Sequence, residues 1–178
     1  RDLFVLLFLL RGMPFVDLAF LRRCDLQGNV ITYHRRKTSR KLTVVVGKEA
    51  MEIIQKYMYA IPDSPYLFPI IQNPGKDEYG QYARMLRLQN YRLTQVANIL
   101  GIRDRLSTYT ARHTWATTAL RQNYNSSLIC DAMGHSSVKV TETYFQPYRD
   151  DEVNRMNSSL ITYILSKKKR GTDKKIRS

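Results

Sequence analysis

Residues 3–10 (LFVLLFLL) are eight apolar residues in a row, closed by Arg1 and Asp2 on one side and Arg11 on the other. Such a run has no face to offer water, yet it falls well short of the roughly 20 residues needed to span a bilayer. It reads as a buried helix, which other elements must cover. With 178 residues, 43% of them hydrophobic, the chain is the size of one ordinary domain and can supply that cover.

The covering elements can be read from periodicity and punctuation. Gly12 ends the first helix and Pro14 is tolerated in the first turn of the next, so residues 2–11 and 14–23 read as two helices. Residues 29–35 and 41–46 are β-rich and flank a polar stretch, which predicts a hairpin. Met51, Ile54 and Met58 are spaced for a helix over 48–59 that stops before Ile61-Pro62. Residues 62–76 hold four of the six prolines together with Gly75 and read as a loop.

A long helix over 79–100, stopped by Gly101, leads through 103–108 to helices over 109–122, 126–133 and 137–145. Ser126 or Ser127 is the expected cap of the second of these. Residues 150–166 form a last amphipathic helix, with acids in its first turn and Val153, Met156, Leu160, Ile161, Ile164 and Leu165 on one side. Residues 167–178 read as a basic, disordered tail. The expected fold class is mainly α with a small antiparallel β-sheet, an α+β domain over 1–166. The sequence shows neither an internal repeat nor a Gly-rich phosphate loop.

A formal charge of +14, from 29 Lys and Arg against 15 Asp and Glu, points to a polyanionic partner. Nucleic acid is preferred over a ribosomal or membrane-surface role. Cys24 and Cys130 lie far apart with no metal-ligand spacing, so no disulfide scaffold or metal site is expected and a reducing cytoplasm fits. The start at Arg1 with no initiator Met reads as a fragment of a longer protein.

One constellation carries chemistry. Thr110-Ala111-Arg112-His113-Thr114-Trp115-Ala116-Thr117 precedes Gly134-His135-Ser136-Ser137, and Tyr144 stands nine residues after His135. A phenol that attacks a DNA phosphate needs cations around that phosphate, and Arg112 and His135 supply two. Upstream lie Arg11-Gly12-Met13-Pro14-Phe15-Val16-Asp17-Leu18-Ala19-Phe20-Leu21 and then Arg36-Lys37-Thr38 before Leu42-Thr43-Val44. In order and spacing this set resembles the catalytic domain of the tyrosine recombinase, or phage integrase, family. Within it, the set resembles the branch of integrases found in mobile elements of Bacteroides-type bacteria.

The resemblance implies a tyrosine recombinase catalytic-domain fold in which Tyr144 attacks a phosphodiester. A 3′-phosphotyrosyl bond and a free 5′-hydroxyl result, and neither ATP, another cofactor nor a metal is implied. Arg112 matches the second family arginine, and its fork suits two phosphate oxygens. His135 matches the later histidine, which donates to phosphate or helps deprotonate the tyrosine. Lys37 matches a hairpin lysine able to protonate the departing 5′ oxygen, while Arg36, Thr38, Arg40 and Lys41 around it are candidate DNA contacts.

Two positions depart from the pattern. The slot of the first family arginine holds Pro14, which cannot serve as a cation. Arg35 is the preferred substitute, because residues two apart on a strand share a face and this would aim Arg35 and Lys37 together; Arg11 is the runner-up. Tyr109 occupies the usual histidine position three residues before Arg112, where a neutral phenol can still donate to phosphate.

The resemblance further implies double-stranded DNA as partner, four protomers on paired DNA sites, accessory DNA-bending or excision factors, and an N-terminal core-binding domain outside this chain. A bacterial, nucleoid-associated setting and the integration or excision of a mobile element go with it. The last helix is expected either to dock on a neighbouring protomer or to pack on its own domain. A DNA-binding remnant with impaired cleavage and a type IB topoisomerase-like enzyme are the competing readings; the short spacing from His135 to Tyr144 favours recombinases.

Overall fold

The computed structural model describes residues 1–145 and 149–175. Arg1–Phe145 forms one compact unit, built around the apolar run. Helix α1 (Asp2–Leu9) buries Leu6 and Leu7 completely, and Leu10 follows them into the core. Left-handed backbone at Arg11 and Gly12 ends the helix, and extended Pro14 starts α2 (Phe15–Ala19).

α2 is shorter than the expected 14–23. Its continuation is captured by another segment: Leu67 N donates to the Leu21 carbonyl, Arg23 N donates to the Pro65 carbonyl, and a 3-10 turn follows at Arg23–Asp25. Residues 62–76 form no helix or strand, as expected. They nevertheless bury Tyr66, Leu67, Phe68, Ile70 and Ile71, so this loop is part of the core.

The hairpin gains a third strand. β1 (Leu26–Gln27), β2 (Val30–His34) and β3 (Lys41–Val45) form an antiparallel sheet in the order β1-β2-β3. Ile31 pairs with Val44 and Tyr33 with Leu42, which puts all four into the core on one face. β1 is too short to show a period of two, so its pairing across Gly28 has no signature in the sequence.

Helices α3 (Lys48–Tyr57), α4 (Glu78–Ile99) and α5 (Thr108–Arg121) fall within two residues of their expected bounds. Helix α6 (Ser126–Met133) starts and stops as expected, but its cap is Asn125, whose Oδ1 accepts from Ser127 N at 2.7 Å. Ser126 and Ser127 are instead its first helical residues. α7 (Val138–Glu142) is a short helix that ends before Tyr144.

Helix α8 (Asp150–Lys175) is described by itself. It runs past residue 166, where a disordered tail was expected. Extending a formed helix adds one hydrogen bond per residue fixed, and Lys and Arg are good helix formers. Residues 176–178, and the side chains of Ile164 and Leu165, lie outside what is described. Among the described residues no helix is long and apolar enough to cross a membrane.

Gly134 closes α6 in left-handed conformation at φ 65°, with Gly134 N bonded to the Asp131 carbonyl and His135 N to the Cys130 carbonyl. A side chain there would meet Arg35 Cδ at 2.7 Å and Leu42 Cδ1 at 2.8 Å, whereas Gly28, at φ 59°, has open space around it. Gly28→Ala is therefore expected to carry only the backbone penalty, somewhat above 1 kcal/mol. Gly134→Ala should cost clearly more in chemical denaturation; equal losses would show that the close approach of Arg35 is not tight.

Candidate active site

α5 begins the site. Tyr109, Arg112 and His113 stand at i, i+3 and i+4 and so share one helix face. Asn90 Oδ1 accepts from Thr108 N at 2.8 Å and holds the start of this helix against α4. One turn on, the Arg112 guanidinium runs inward and is 2% exposed. Its Nη1 donates to the Gly12 carbonyl at 2.6 Å and its Nη2 to the Met133 carbonyl at 2.9 Å. Gly12 allows this approach, because a Cβ there would lie 3.0 Å from Arg112 Cα.

Arg35 reaches the same place from the sheet. Its Nη1 donates to the carbonyls of Met133, at 2.9 Å, and Gly134, at 3.1 Å. The carbonyl of Met133 thus accepts from two guanidiniums at the C-terminal end of α6, where the helix dipole favours cations. Arg35 Nε also forms an ion pair with buried Asp17 at 3.3 Å. Asp17 is fixed by a second bond, with Oδ1 accepting from Arg36 N at 3.0 Å. Burial nonetheless raises the Asp17 carboxyl above its ordinary range, against the Arg36 amide and the Arg35 charge that lower it.

His135 lies directly after Gly134 and is 4% exposed. Its Nε2 sits 2.5 Å from Arg112 Nη2 and its Nδ1 sits 2.8 Å from Thr141 Oγ1. An arginine cannot accept, so Nε2 is the acceptor and the proton resides on Nδ1, which donates to Thr141. Burial first, then the charges of Arg112, Arg35 and Lys37, lower the imidazole to about 3. It is therefore neutral at physiological pH, and not the second cation that was expected beside Arg112, because burial and the neighbouring guanidiniums disfavour its charged form.

Tyr144 closes the cluster and is 8% exposed. Thr117 Oγ1 donates to its carbonyl at 3.1 Å. Its ring stacks on His135 with centroids 5.0 Å apart, lies 4.6 Å from the His113 ring, and has the Arg112 Cζ 5.5 Å from its centre. Its hydroxyl is 2.5 Å from that of Tyr109. Burial, then the bond to Tyr144, push the Tyr109 phenol up to about 12.

Tyr144, Arg112, His135, Tyr109 and Arg35 thus come together from α5, the β2–β3 turn and both ends of α7. Arg11 does not join them: its guanidinium donates to the Thr43 carbonyl on β3 at 3.2 Å. The expected shared face of Arg35 and Lys37 is absent, because β2 ends at His34 and both residues lie beyond the strand. Arg35 is buried while Lys37 is exposed, close enough for its charge to act on His135.

The other basic candidates divide. Arg36 lays its guanidinium over the Phe20 ring at 3.8 Å, and Thr38 Oγ1 donates to the Gly134 carbonyl at 3.4 Å. Arg40 donates to the His135 carbonyl at 3.1 Å and to Asp131 at 2.9 Å, tying the turn to α6. Lys41 is exposed at the start of β3. Asp17, Thr141 and His113 belong to the site although sequence reasoning did not assign them a role. A lone acid on an otherwise apolar helix was the available signal for Asp17; Thr141 had none. Among the described residues no group of His, Cys, Asp and Glu could hold a metal ion.

Residues 2–150 match the phage integrase family. A tyrosine recombinase of Pseudothermotoga lettingae is 32% identical over 60 residues, 34% of this chain and 21% of that protein. Tyrosine recombinase XerC of Thermodesulfovibrio yellowstonii is 26% identical over 135 residues, covering 70% of this chain and 42% of that one. The fold is similar to that of XerA recombinase, with TM-score 0.65, 21% identity, and coverage of 87% of this chain and 56% of that one. It is also similar to the Tn1549 transposon integrase in complex with transposon right end DNA, with TM-score 0.58, 17% identity, and coverage of 90% and 58%. The chain spans less than half the length of these sequence relatives and somewhat over half of these solved chains.

The buried neutral histidine has a consequence for stability. The unfolded chain binds a proton at His135 below about pH 6.5, whereas the folded one does not until about 3, so folding stability is fully present above 6.5 and declines as pH falls. Denaturant unfolding between pH 7 and 5 should show this decline, and His135→Gln should flatten it. An unchanged slope in the variant would exclude His135 as its source.

Proposed function

The chain belongs to the phage integrase family, the tyrosine recombinases, and on that premise we propose that its site cleaves and rejoins DNA through Tyr144. One observation carries this reading: in the buried cluster the Arg112 guanidinium lies beside the Tyr144 ring and shares the Met133 carbonyl with Arg35, and among the described residues Asp17 is the one carboxylate paired with these two cations. His135 is neutral, so the cluster holds one uncompensated positive charge. A buried surplus of that sign is costly unless an anion completes it, and a phosphodiester is the anion that suits fork-shaped donors.

The proposed chemistry is that of the family, and the geometry supports it. Tyr144 Oη attacks phosphorus and the 5′ oxygen leaves, so a 3′-phosphotyrosyl bond replaces the phosphodiester. Two negative charges gather on the nonbridging oxygens in the pentavalent state, and preorganised guanidinium donors are worth most there. Arg35 takes the part of the first family arginine that Pro14 vacates. Exposed Lys37 on the β2–β3 turn protonates the 5′ oxygen. Because one phosphodiester is exchanged for another, the bond energy is retained for rejoining. Integration or excision of a mobile element is the role preferred for the whole protein.

Assembly on paired DNA sites is part of the proposal. An apolar groove of about 650 Å³, lined by Phe8, Trp115, Ala119, Leu128, Ile129 and Ala132, opens on the surface of the first unit. α8 exposes Val153, Met156, Leu160 and Ile161 at helical spacing. These two apolar surfaces suit each other, and α8 of a neighbouring protomer is the proposed occupant in a tetramer.

Incubation with a nicked suicide substrate made from the DNA flanking the gene should yield a denaturant-stable adduct that disappears in Tyr144→Phe. Arg35→Ala should lower adduct formation by roughly a hundredfold or more while retaining DNA binding, with Arg35→Lys intermediate. DNA binding without an adduct in the wild type would refute strand transfer. Full activity in Arg35→Ala would refute the role of Arg35 alone.

A further inference from the structure

Tyr144 must lose a proton as it attacks, and the group that receives it is decided by contact. His135, the residue at the family's histidine position, has no nitrogen to spare: Nε2 accepts from Arg112 and Nδ1 donates to Thr141. Its ring stacks flat against the tyrosine ring, at an interplanar angle of 18°, rather than meeting the hydroxyl edge-on. Arg112 has no acceptor. Among the described residues, the side-chain oxygen in contact with the Tyr144 hydroxyl is Tyr109 Oη, at 2.5 Å.

The two phenols also differ in access. Tyr109 is 49% exposed and Tyr144 is 8% exposed, so the phenol that touches the buried nucleophile also reaches solvent. A phenol accepts one proton while giving up another, and remains neutral throughout.

We propose that Tyr109 is the proton relay for the nucleophile, accepting the Tyr144 proton and passing its own to a nonbridging oxygen of the scissile phosphate. This rests on the strand-transfer reading and assigns Tyr109 a role that the usual histidine at this position would perform differently. As the bond between Tyr144 Oη and phosphorus forms, the Tyr144 proton moves to Tyr109 Oη and the Tyr109 proton moves to the phosphate oxygen. The bond between phosphorus and the 5′ oxygen then breaks, with Lys37 protonating that oxygen. The new phosphodiester, a strong acid, releases its proton to solvent, and Lys37 regains one from solvent. No charge is left on Tyr109 at any stage. This agrees with a phenol whose surroundings hold it un-ionised well above neutral pH.

The relay separates from a packing role by its pH signature. The groups that face residue 109 are Tyr144, the His113 ring at 5.4 Å, and the charges of Arg112 and Arg35. A histidine placed there can relay only while neutral, and these cations keep its ordinary titration near or below about 6.5. Adduct formation on the suicide substrate is measured in single turnover from pH 5 to 8 for wild type, Tyr109→Phe and Tyr109→His, with thermal unfolding to establish that each variant is folded.

Tyr109→Phe, which keeps the ring and loses the oxygen, should slow the adduct by at least a hundredfold. Tyr109→His should recover much of that rate at pH 8, and its rate relative to wild type should fall about tenfold per pH unit once the histidine protonates. A Phe variant as fast as wild type, or a His variant whose ratio to wild type is flat with pH, overturns the relay. Absence of an adduct in the wild type itself overturns the strand-transfer reading and the relay with it.

Discussion

The site depends on how helix α6 ends. Eight residues long, it finishes in a left-handed glycine, and this turn leaves the carbonyls of Met133 and Gly134 pointing away from the helix toward the sheet and α5. Both oxygens accept from Arg35, and that of Met133 also accepts from Arg112. Removing a guanidinium from water costs several kcal/mol. Carbonyls at the negative end of a helix dipole return part of that, each charge-assisted bond contributing about 1.5–3 kcal/mol. Among the described residues Asp17 pairs with Arg35, and Arg112 is held by carbonyls and His135 without a carboxylate partner.

Close backbone approach is what makes the arrangement possible. Gly12 lets Arg112 reach a carbonyl at the end of α1, and Gly134 lets the Arg35 stem pass over the end of α6. Both glycines have positive φ, so turn conformation and proximity call for the same residue at each place. The apolar run that opens the chain contributes indirectly. Packed in the core, α1 leads straight into the Arg11–Gly12 turn, whose Gly12 carbonyl accepts from Arg112.

Much of this was legible in the sequence. The sheet register follows from alternating apolar residues in β2 and β3, and α4, α5 and α6 are bounded by glycines and a polar connection that can be read directly, although the cap of α6 is Asn125 and not Ser126 or Ser127. Tyr144, Arg112, His135 and Tyr109, which the family resemblance singled out, do lie together in the structure. Failures came where one part of the chain overrides the local pattern of another. α2 ends early because the 65–67 segment pairs with its continuation. Arg35 and Lys37 diverge because the strand ends one residue before the first of them, so a period of two no longer applies. Arg11, one residue from the glycine of the motif, is drawn to the Thr43 carbonyl instead.

The sequence by itself determined the class of fold, the residues able to do chemistry and the excess of positive charge, because periodicity, capping and spacing act over a few residues at a time. Only the tertiary structure decided how the cations are used. Arg35 and Arg112 are 77 positions apart in sequence and meet at one carbonyl. The protonation of His135 follows from burial and from the charges around it, and the pairing of Tyr109 with Tyr144 requires the chain to return after α7. These are long-range contacts in a low-dielectric interior, where the energy of a charge or a proton depends on neighbours that no local pattern names.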